Sequence, residues 1–345
     1  MKFIIISVAF LISILLGFFP KIDKPKSTIW KLTAIIIMIT AIIINIIPPV
    51  ATNLENAKII TSKIFDYPIN STLVLNNYSP SFDEANKMWS YFIKSSETNK
   101  NTYKLFSKEK TDLKGNNDYI IRLKYDENIA GFVFHSLISE NPIFSIPYLP
   151  QLEERIKIMN FHVPLAWLTV LAYLISMIYS IKYLRKRDIY NDIKASSAAY
   201  LGTIFCVLAT LTGAVWAKYN WGSYWNWDPR QTSIFVLLLI YFAYFILRSS
   251  IEKEDLKARL SAVYSIIAFV TVPFFIFILP RIASGLHPGS GSEETLGPIL
   301  ATKSDMLNPT MQLGFGVSII AFSMLFFWLY NLHIRAKKLE KENNY

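Results

Sequence analysis

Between two long apolar segments lies the sequence Trp221-Gly222-Ser223-Tyr224-Trp225-Asn226-Trp227-Asp228-Pro229-Arg230-Gln231-Thr232. The two segments, residues 197–217 and 231–248, are each close to the roughly 20 apolar residues that a helix needs to cross a bilayer. With Trp216 just upstream, the connection holds four of the eight tryptophans of the chain. So many aromatic side chains at one end of two membrane helices either anchor the protein at the membrane surface or hold a flat ligand.

Five further segments are long and apolar enough to span a membrane: 2–19, 31–48, 161–183, 260–280 and 312–333. The chain of 345 residues is 52% hydrophobic and only 17% charged, which excludes an ordinary soluble domain. We therefore predict an all-α polytopic membrane protein with about seven transmembrane helices. The first segment has the basic start of a signal peptide, but no small-residue cleavage site follows it, so we expect it to stay as a membrane helix.

Basic residues concentrate in four short polar segments. Residues 21–31 hold four lysines against one acidic residue, 182–194 five basic against two acidic, 248–259 four against three, and 334–345 four against two. The positive-inside rule puts these segments in the cytoplasm. The N-terminus, the segment 49–160, the aromatic motif and residues 281–311 then lie outside, and the C-terminus lies inside. The net charge of +10 thus reflects topology, so we expect no nucleic-acid partner.

These boundaries divide the chain into four parts. Residues 1–48 form a two-helix membrane hairpin, 49–160 an extracytoplasmic insert, 161–333 a five-helix membrane unit, and 334–345 a cytoplasmic tail. The insert is long enough to bury a small core. Alternating apolar residues predict strands at 117–125 and 129–134 with a turn between them, and a helix is expected at 82–95. We predict a small mixed α/β domain. The single cysteine, Cys206, is expected to act as a buried apolar residue.

We call Trp216, Trp221, Tyr224, Trp225 and Trp227 the aromatic shelf. An interfacial belt explains one or two such residues but not this density. A helical turn would place Trp221, Tyr224 and Trp225 on one face, because residues three and four apart are neighbours on a helix. The end of the motif also predicts a helix start, with Asp228 as N-cap, Pro229 at N1 and Gln231 at the N3 position of a capping box.

The twelve residues 221–232 resemble the tryptophan-rich WWD signature of the haem-handling membrane proteins of cytochrome c biogenesis, a group that includes CcmC, CcmF and CcsA. The resemblance covers about residues 161–333 and is closest to CcmC. It implies that the aromatic shelf and Asp228 belong to a haem-binding domain for haem b. The CcmF and CcsA branches usually carry further histidines inside membrane helices, which this chain lacks. CcmC proteins are usually shorter, with six membrane helices and no large insert.

The four histidines differ in their predicted positions. His333 lies at the cytoplasmic end of the last helix, and His135 lies in the insert beside a strand, so a structural role is expected for both. His162 and His287 lie on the same predicted outer face as the aromatic shelf. A planar macrocycle with a central iron needs a flat aromatic surface and an imidazole on each side. The sequences His162-Val163-Pro164 and Leu286-His287 resemble the two histidine positions of CcmC, which implies that both are axial haem ligands.

Basic side chains near this face, Lys218, Arg230 and Arg281, are candidate partners of haem propionates or ordinary interfacial anchors. Gly285, Gly289 and Gly291 favour a flexible loop around His287.

Three functions remain open at this point. The first is a CcmC-like protein of the bacterial inner membrane that delivers haem to a periplasmic haem chaperone similar to CcmE, alongside other maturation subunits. The second is a CcsA-like part of a cytochrome c synthase that acts on the CxxCH of an apocytochrome. The third is a permease or structural subunit without haem. Since no nucleophile–base pair stands out, we expect a delivery protein rather than an enzyme.

Overall fold

A computed structural model describes residues 2–19, 21–75, 80–96, 101–115, 117–148, 152–287 and 309–343. The chain forms two compact units. The first, which we call the membrane unit, comprises residues Met1–Asn45 and Lys157–Tyr345. The second, the β unit, comprises residues Ile46–Ile156.

The membrane unit consists mainly of long helices, and the described residues of the β unit include one short helix. In chain order they are α1 (Lys2–Phe18), α2 (Thr28–Ile46), α3 (Leu54–Lys63), α4 (Met159–Lys186), α5 (Ile189–Trp221), α6 (Pro229–Ser249), α7 (Glu254–Pro273), α8 (Leu279–Ile282) and α9 (Pro309–Asn343). A 3-10 helix, Glu153–Ile158, leads into α4. A π-helix, Phe274–Ile278, joins α7 to α8. Prolines at 273 and 280 flank it, and proline removes the backbone donor that a regular helix needs.

Six helical segments within the described ranges are long and apolar enough to cross a membrane. They are Thr28–Ile46, Glu153–Lys186, Ile189–Trp221, Pro229–Ser249, Glu254–Ile282 and Met311–Asn343. A shorter apolar helix, Ser7–Phe18, precedes them. The mostly helical, multi-pass architecture therefore agrees with the sequence, whereas the count of seven spans stays a prediction.

The first two helices pack within the membrane unit, chiefly against α9. Gly17 of α1 lies so close to the Phe327 ring that a Cβ at position 17 would overlap it. The Asn331 side chain donates hydrogen bonds to the carbonyl oxygens of Ile22 and Lys24, in the turn between α1 and α2. The Trp30 and Trp328 rings meet edge to face with centroids 6.3 Å apart.

A buried polar cluster joins α2 to α4 and α9. Asn45 Nδ2 donates to Ser318 Oγ at 2.9 Å, and Asn45 Oδ1 accepts from Asn160 Nδ2 at 2.6 Å. Asn45, Asn160 and Ser318 are all nearly inaccessible to solvent. Because Asn160 precedes His162 by two residues, this cluster also fixes the first turn of α4.

We expect Asn45→Leu to lower the free energy of unfolding by roughly 1–2 kcal/mol, because the buried Asn160 amide loses its acceptor. Thermal unfolding in detergent measures this change. Thr40→Val is the matched control on the same helix, since the Thr40 side chain is exposed and donates only to Ile36 O. A loss for Asn45→Leu no larger than the control would contradict the structural role of the cluster.

In the described residues of the β unit, eight strands form two sheets. They are β1 (Val50–Ala51), β2 (Ile69–Leu75), β3 (Ser81–Asp83), β4 (Met88–Lys94), β5 (Tyr103–Ser107), β6 (Asp118–Asp126), β7 (Gly131–Glu140) and β8 (Ile146–Pro147). The larger sheet has the order β2-β6-β7-β5-β4-β3, and an additional β2–β4 pairing closes five of its strands into a ring. Strand β5 runs parallel to β7, whereas the other pairs in this sheet are antiparallel. Leu105, Ile121 and Phe132 are fully buried in its core.

The two predicted strands and their turn are confirmed as β6 and β7, joined at Asp126, whose carboxylate accepts from Asn128 N. The helix predicted at 82–95 is wrong, because this region forms β3 and β4. Tyr91 and Ile93 are buried while Phe92 between them is exposed, which is the two-residue period of a strand. Asp83 accepts from Ala85 N and Asn86 N in the intervening turn, so this acidic residue starts a turn and not a helix.

Candidate functional site

Helix α5 ends inside the aromatic motif. Trp221 is its last residue, and Gly222 has a φ of 80°, the left-handed conformation that commonly terminates helices. Gly222 N donates to Lys218 O, and Lys218 Nζ donates back to Gly222 O at 2.9 Å. The prediction that Trp221, Tyr224 and Trp225 share one helical face is therefore wrong, because the helix stops before the last two.

Four of the five residues of the aromatic shelf form two groups. Trp216 and Trp221 lie at the end of α5 with ring centroids 5.0 Å apart. Trp225 and Trp227 lie 5.7 Å apart, and both contact Phe235 of α6 edge to face. Tyr224 stands outside both groups, 58% exposed, with Lys218 Nζ 5.6 Å from its ring. We call the first group the Trp216 pair and the second the Trp225 group.

The loop between α5 and α6 is held by two side chains at the start of α6, the N-cap Asp228 and Gln231 in the first turn. Asp228 is the N-cap and accepts from Arg230 N at 2.9 Å, with Pro229 at the first helical position, as predicted. Gln231 makes a different bond from that of a capping box. Its Oε1 accepts from Asn226 N at 2.8 Å, and its Nε2 donates to Tyr224 O at 3.1 Å. Gln231 therefore fixes the path of the preceding loop instead of the N-cap backbone.

Trp227 has a φ of 55°, in the left-handed region that bulky residues rarely adopt. Such a conformation costs on the order of 1–3 kcal/mol and tends to occur at functional sites. The Trp227 side chain is nevertheless 68% exposed, so burial of its indole offsets little of this conformational cost. The local strain and the exposed ring together favour a binding role for this tryptophan.

His162 lies in the first turn of α4 and contacts α5. Its Nδ1 is 3.1 Å from Thr212 Oγ1, and the Thr212 hydroxyl also lies 2.9 Å from Leu208 O as a donor. A hydroxyl has one hydrogen, so with that hydrogen on the backbone carbonyl, Oγ1 accepts the Nδ1 hydrogen of His162. This tautomer leaves Nε2 with its lone pair free to bind a metal. The imidazole is also in close contact with Gly213, where an added Cβ would lie 2.9 Å from His162 Cε1.

His287 follows α8 and lies against the Trp216 pair. Its ring centroid is 5.0 Å from that of Trp216 and 4.9 Å from that of Trp221. About a quarter of the side chain, 26%, remains accessible, while Nδ1 is buried and has no hydrogen-bond partner among the described residues. Burial, aided by the positive charge of Arg230, lowers the pKa of His287 to about 3. The imidazole is therefore neutral near pH 7, the form that ligates metals.

The two histidines are brought together along α5. His162 contacts Thr212 and Gly213, and His287 contacts Trp216, one helical turn further on. Residues three and four apart lie on the same helix face about one turn apart. The two imidazoles therefore line one side of α5 at successive turns.

Among the three candidate propionate partners, Arg230 is distinguished by an unsatisfied donor. Its Nε is buried and lacks a hydrogen-bond partner within the described part of the chain. Arg230 also lies close enough to Asp228 and Arg281 to interact with them electrostatically. Lys218 is already bonded to Gly222 O. A guanidinium group with a free donor next to two neutral imidazoles is suited to bind an anionic group.

The other histidines lie elsewhere. His135 is exposed on β7 of the β unit. His333 lies in α9, with Nδ1 2.9 Å from Ser197 Oγ and its ring stacked on Tyr200. Cys206 is fully buried, as predicted. Gly289 and Gly291 lie outside the described residues.

Sequence reasoning missed Thr212, Gly213 and Phe235. Thr212 and Gly213 lie one turn before Trp216, and a small residue beside a hydroxyl in an apolar helix could have indicated that a side chain packs there. Phe235 reads as an ordinary apolar residue of a membrane helix, so its contact with the Trp225 group left no signal in the sequence.

A family model described as Heme exporter protein C (CcmC) matches residues 133–345, which is more than half of the chain. Over 185 residues the chain is 31% identical to Heme exporter protein C of Bradyrhizobium diazoefficiens, which covers 54% of this chain and 66% of that protein. Over 206 residues it is 30% identical to Heme exporter protein C of Rhodobacter capsulatus, which covers 57% of this chain and 80% of that protein.

A shorter similarity links the chain to another branch of the same group. Over 115 residues it is 35% identical to Cytochrome c biogenesis protein CcsA of Fagopyrum esculentum subsp. ancestrale, which covers 33% of this chain and 34% of that protein. The resemblance to the haem-handling proteins of cytochrome c biogenesis, with CcmC as the nearest branch, is thereby confirmed. The chain belongs to the Heme exporter protein C (CcmC) family.

Proposed function

We propose that this protein binds haem through His162 and His287 and delivers it for the maturation of c-type cytochromes. The observation that carries the proposal is the placement of two imidazoles at successive turns of α5, one bonded to Thr212 and the other against the Trp216 pair. Family membership supports the same function, since the relatives are named as haem exporters.

The side chains present fit a haem. In His162, Nδ1 lies 3.1 Å from Thr212 Oγ1, which leaves Nε2 as the nitrogen to bind iron, and His287 has a buried Nδ1 without a partner among the described residues and an accessible remainder of the ring. Two neutral imidazoles are a common axial donor set for haem iron, and the macrocycle supplies the other ligands. When bound, the haem brings a planar aromatic surface and two carboxylates. Trp216 and Trp221 would contact the macrocycle, and Arg230 would bind a propionate through its free donor.

Exposure of the aromatic groups supports delivery rather than permanent storage. Trp227 and Tyr224 are mostly accessible, in contrast to the enclosed haem pockets of resident haem proteins. The exposed ring of Trp227 would cover part of the haem or contact the protein that receives it. Asp228 and Pro229 start α6, so within the motif the contacts with the macrocycle itself fall to Trp221, Tyr224, Trp225 and Trp227.

The proposal includes the direction of delivery. The site lies at the outer face of a bacterial inner membrane, with the N-terminus outside and the C-terminus in the cytoplasm, as the distribution of basic residues predicts. The cargo is haem b, and the recipient is a periplasmic haem chaperone similar to CcmE, with other maturation subunits beside it. The protein then needs no chemistry of its own on the haem.

A second candidate is a CcsA-like role in attaching haem directly to an apocytochrome. The similarity to a plant CcsA over 115 residues favours considering it. The third alternative, a permease or structural subunit without haem, would perform neither haem delivery nor haem attachment.

Reconstitution with purified partners separates these functions. We expect the haem-loaded protein to transfer haem to a CcmE-like chaperone and to yield no holocytochrome with apocytochrome alone. Covalent haem is measured by gel staining and by the spectrum of the acceptor. Holocytochrome formation without a chaperone would overturn the delivery role in favour of the synthase. Protein that stays free of haem when isolated from haem-replete membranes would overturn both.

A further inference from the structure

Asp228 links the start of α6 to the segment that carries His287. Its side chain is fully buried, with 0% exposure. Oδ1 accepts from Arg230 N at 2.9 Å, which is the helix cap, while Oδ2 accepts from Leu286 N at 2.7 Å. A helix cap needs only the first of these bonds. The second bond fixes the backbone immediately before His287, which lies 59 positions further along the chain than Asp228.

Gly285 allows this close approach. A Cβ at position 285 would lie 2.7 Å from Asp228 Oδ2 and 2.9 Å from Pro229 Cδ, closer than van der Waals contact permits. The segment 285–287 thus runs directly over the first turn of α6. A glycine is required here because the backbone passes so near the carboxylate.

The imidazole of His287 is close to the same carboxylate but not yet bonded to it. His287 Nδ1 lies 3.9 Å from Asp228 Oδ1, and it is buried without a hydrogen-bond partner among the described residues. Trp216 and Trp221 pack against the ring. A small rotation of the ring would bring Nδ1 within bonding distance of the carboxylate and direct Nε2 away from it.

We propose that Asp228 is a positioning residue for His287, holding its backbone through Leu286 N and accepting the Nδ1 hydrogen of the imidazole so that Nε2 faces the iron. Histidines that ligate metals usually donate their second N–H to such a partner, which fixes the tautomer and makes the ligand more basic. Thr212 Oγ1 is the corresponding partner of His162 Nδ1, but it belongs to a neutral hydroxyl group. The inference rests on the proposed haem function and assigns Asp228 a part in it other than contact with the haem.

The test uses the full-length protein with His287→Gly, in which imidazole added to the buffer replaces the missing side chain. Imidazole can donate an N–H to Asp228, whereas 1-methylimidazole cannot. We expect imidazole to restore the low-spin haem spectrum at a concentration about tenfold lower than 1-methylimidazole does, within the range that outer partners of metal ligands contribute. In His287→Gly with Asp228→Asn this preference should largely disappear. If imidazole is preferred over 1-methylimidazole to the same degree in His287→Gly and in His287→Gly with Asp228→Asn, the proposal is overturned.

The single variant Asp228→Asn, with His287 intact, gives a second measurement that does not depend on rescue. Asparagine is as good an N-cap as aspartate, so a role in helix capping alone would leave the haem unaffected. Loss of the anionic acceptor makes the imidazole a weaker donor, so we expect the reduction potential of the haem to rise. An unchanged potential would overturn the inference. The variant His287→Ala separates failure of the inference about Asp228 from failure of the proposed haem function. An unchanged haem spectrum in His287→Ala contradicts the haem function itself.

Discussion

His162→Ala and His287→Ala should each abolish the bis-imidazole absorption spectrum of the haem-loaded protein. The two imidazoles lie at successive turns of one face of α5, where both can ligate the same iron. Removal of either side chain therefore takes away one axial donor. Loss of an outer partner of a metal ligand weakens binding roughly 10–100-fold, so loss of the ligand should exceed about 100-fold. Haem content and the optical spectrum of protein purified from haem-replete membranes measure the effect.

The remaining two histidines are the controls. His135 is exposed in the β unit, and His333 is bonded to Ser197 and stacked on Tyr200 in the membrane unit. His135→Ala and His333→Ala should keep both the haem and its low-spin spectrum. A wild-type spectrum in either His162→Ala or His287→Ala would refute the ligand assignment, and so would a loss of the same size in either control.

Gly213→Ala should weaken haem binding by roughly 10–100-fold without lowering the stability of the protein. The added Cβ would lie 2.9 Å from His162 Cε1, so the imidazole must move away from its position beside Thr212. The same substitution inside a helix favours folding by about 0.5–1 kcal/mol, which offsets the loss of the bond between His162 and Thr212. Haem affinity is therefore expected to fall while thermal stability changes little.

Two measurements examine this separation. Titration of the apoprotein with haem gives the affinity, and thermal unfolding of the apoprotein gives the stability. Val215→Ile is a matched control, since Val215 lies two residues away on α5 with its side chain 40% exposed. Its haem affinity should stay within error of the wild type. If Gly213→Ala binds haem as tightly as the control, His162 does not bind iron from the position that it occupies here.

Local signals in the sequence predicted much of the fold because they act over a few residues. Apolar runs long enough to span a bilayer predicted the helices, although several extend beyond the apolar run, as in α5, which starts at Ile189 with Asp188 as its cap. Asp228 and Pro229 predicted the start of α6 by their capping chemistry. The alternation in 117–125 predicted β6. Where two local signals competed, as in 82–95, the strand period of Tyr91 and Ile93 prevailed over the acidic residues that suggested a helix start.

The arrangement of the aromatic shelf was not predictable in the same way. Spacing placed Trp221, Tyr224 and Trp225 on one helical face, but Gly222 ends the helix, and its left-handed conformation redirects the chain. The two bonds of Gln231 to the loop backbone then decide where Trp225 and Trp227 lie. Those bonds depend on the three-dimensional path of the loop, on which the spacing of aromatic residues carries no information.

The amino-acid sequence alone determined that the chain is a multi-pass helical membrane protein and indicated its family, since hydropathy and the Trp221–Thr232 motif are properties of neighbouring residues. It also singled out His162 and His287, from their predicted place at one membrane face. Only the tertiary structure placed a polar side chain near each histidine, with Thr212 Oγ1 3.1 Å from His162 Nδ1 and Asp228 Oδ1 3.9 Å from His287 Nδ1. The physical reason is distance along the chain. These partners are separated by about 50 to 60 residues, and only the packing of α4, α5 and α6 and the path of the segment after α8 bring them together.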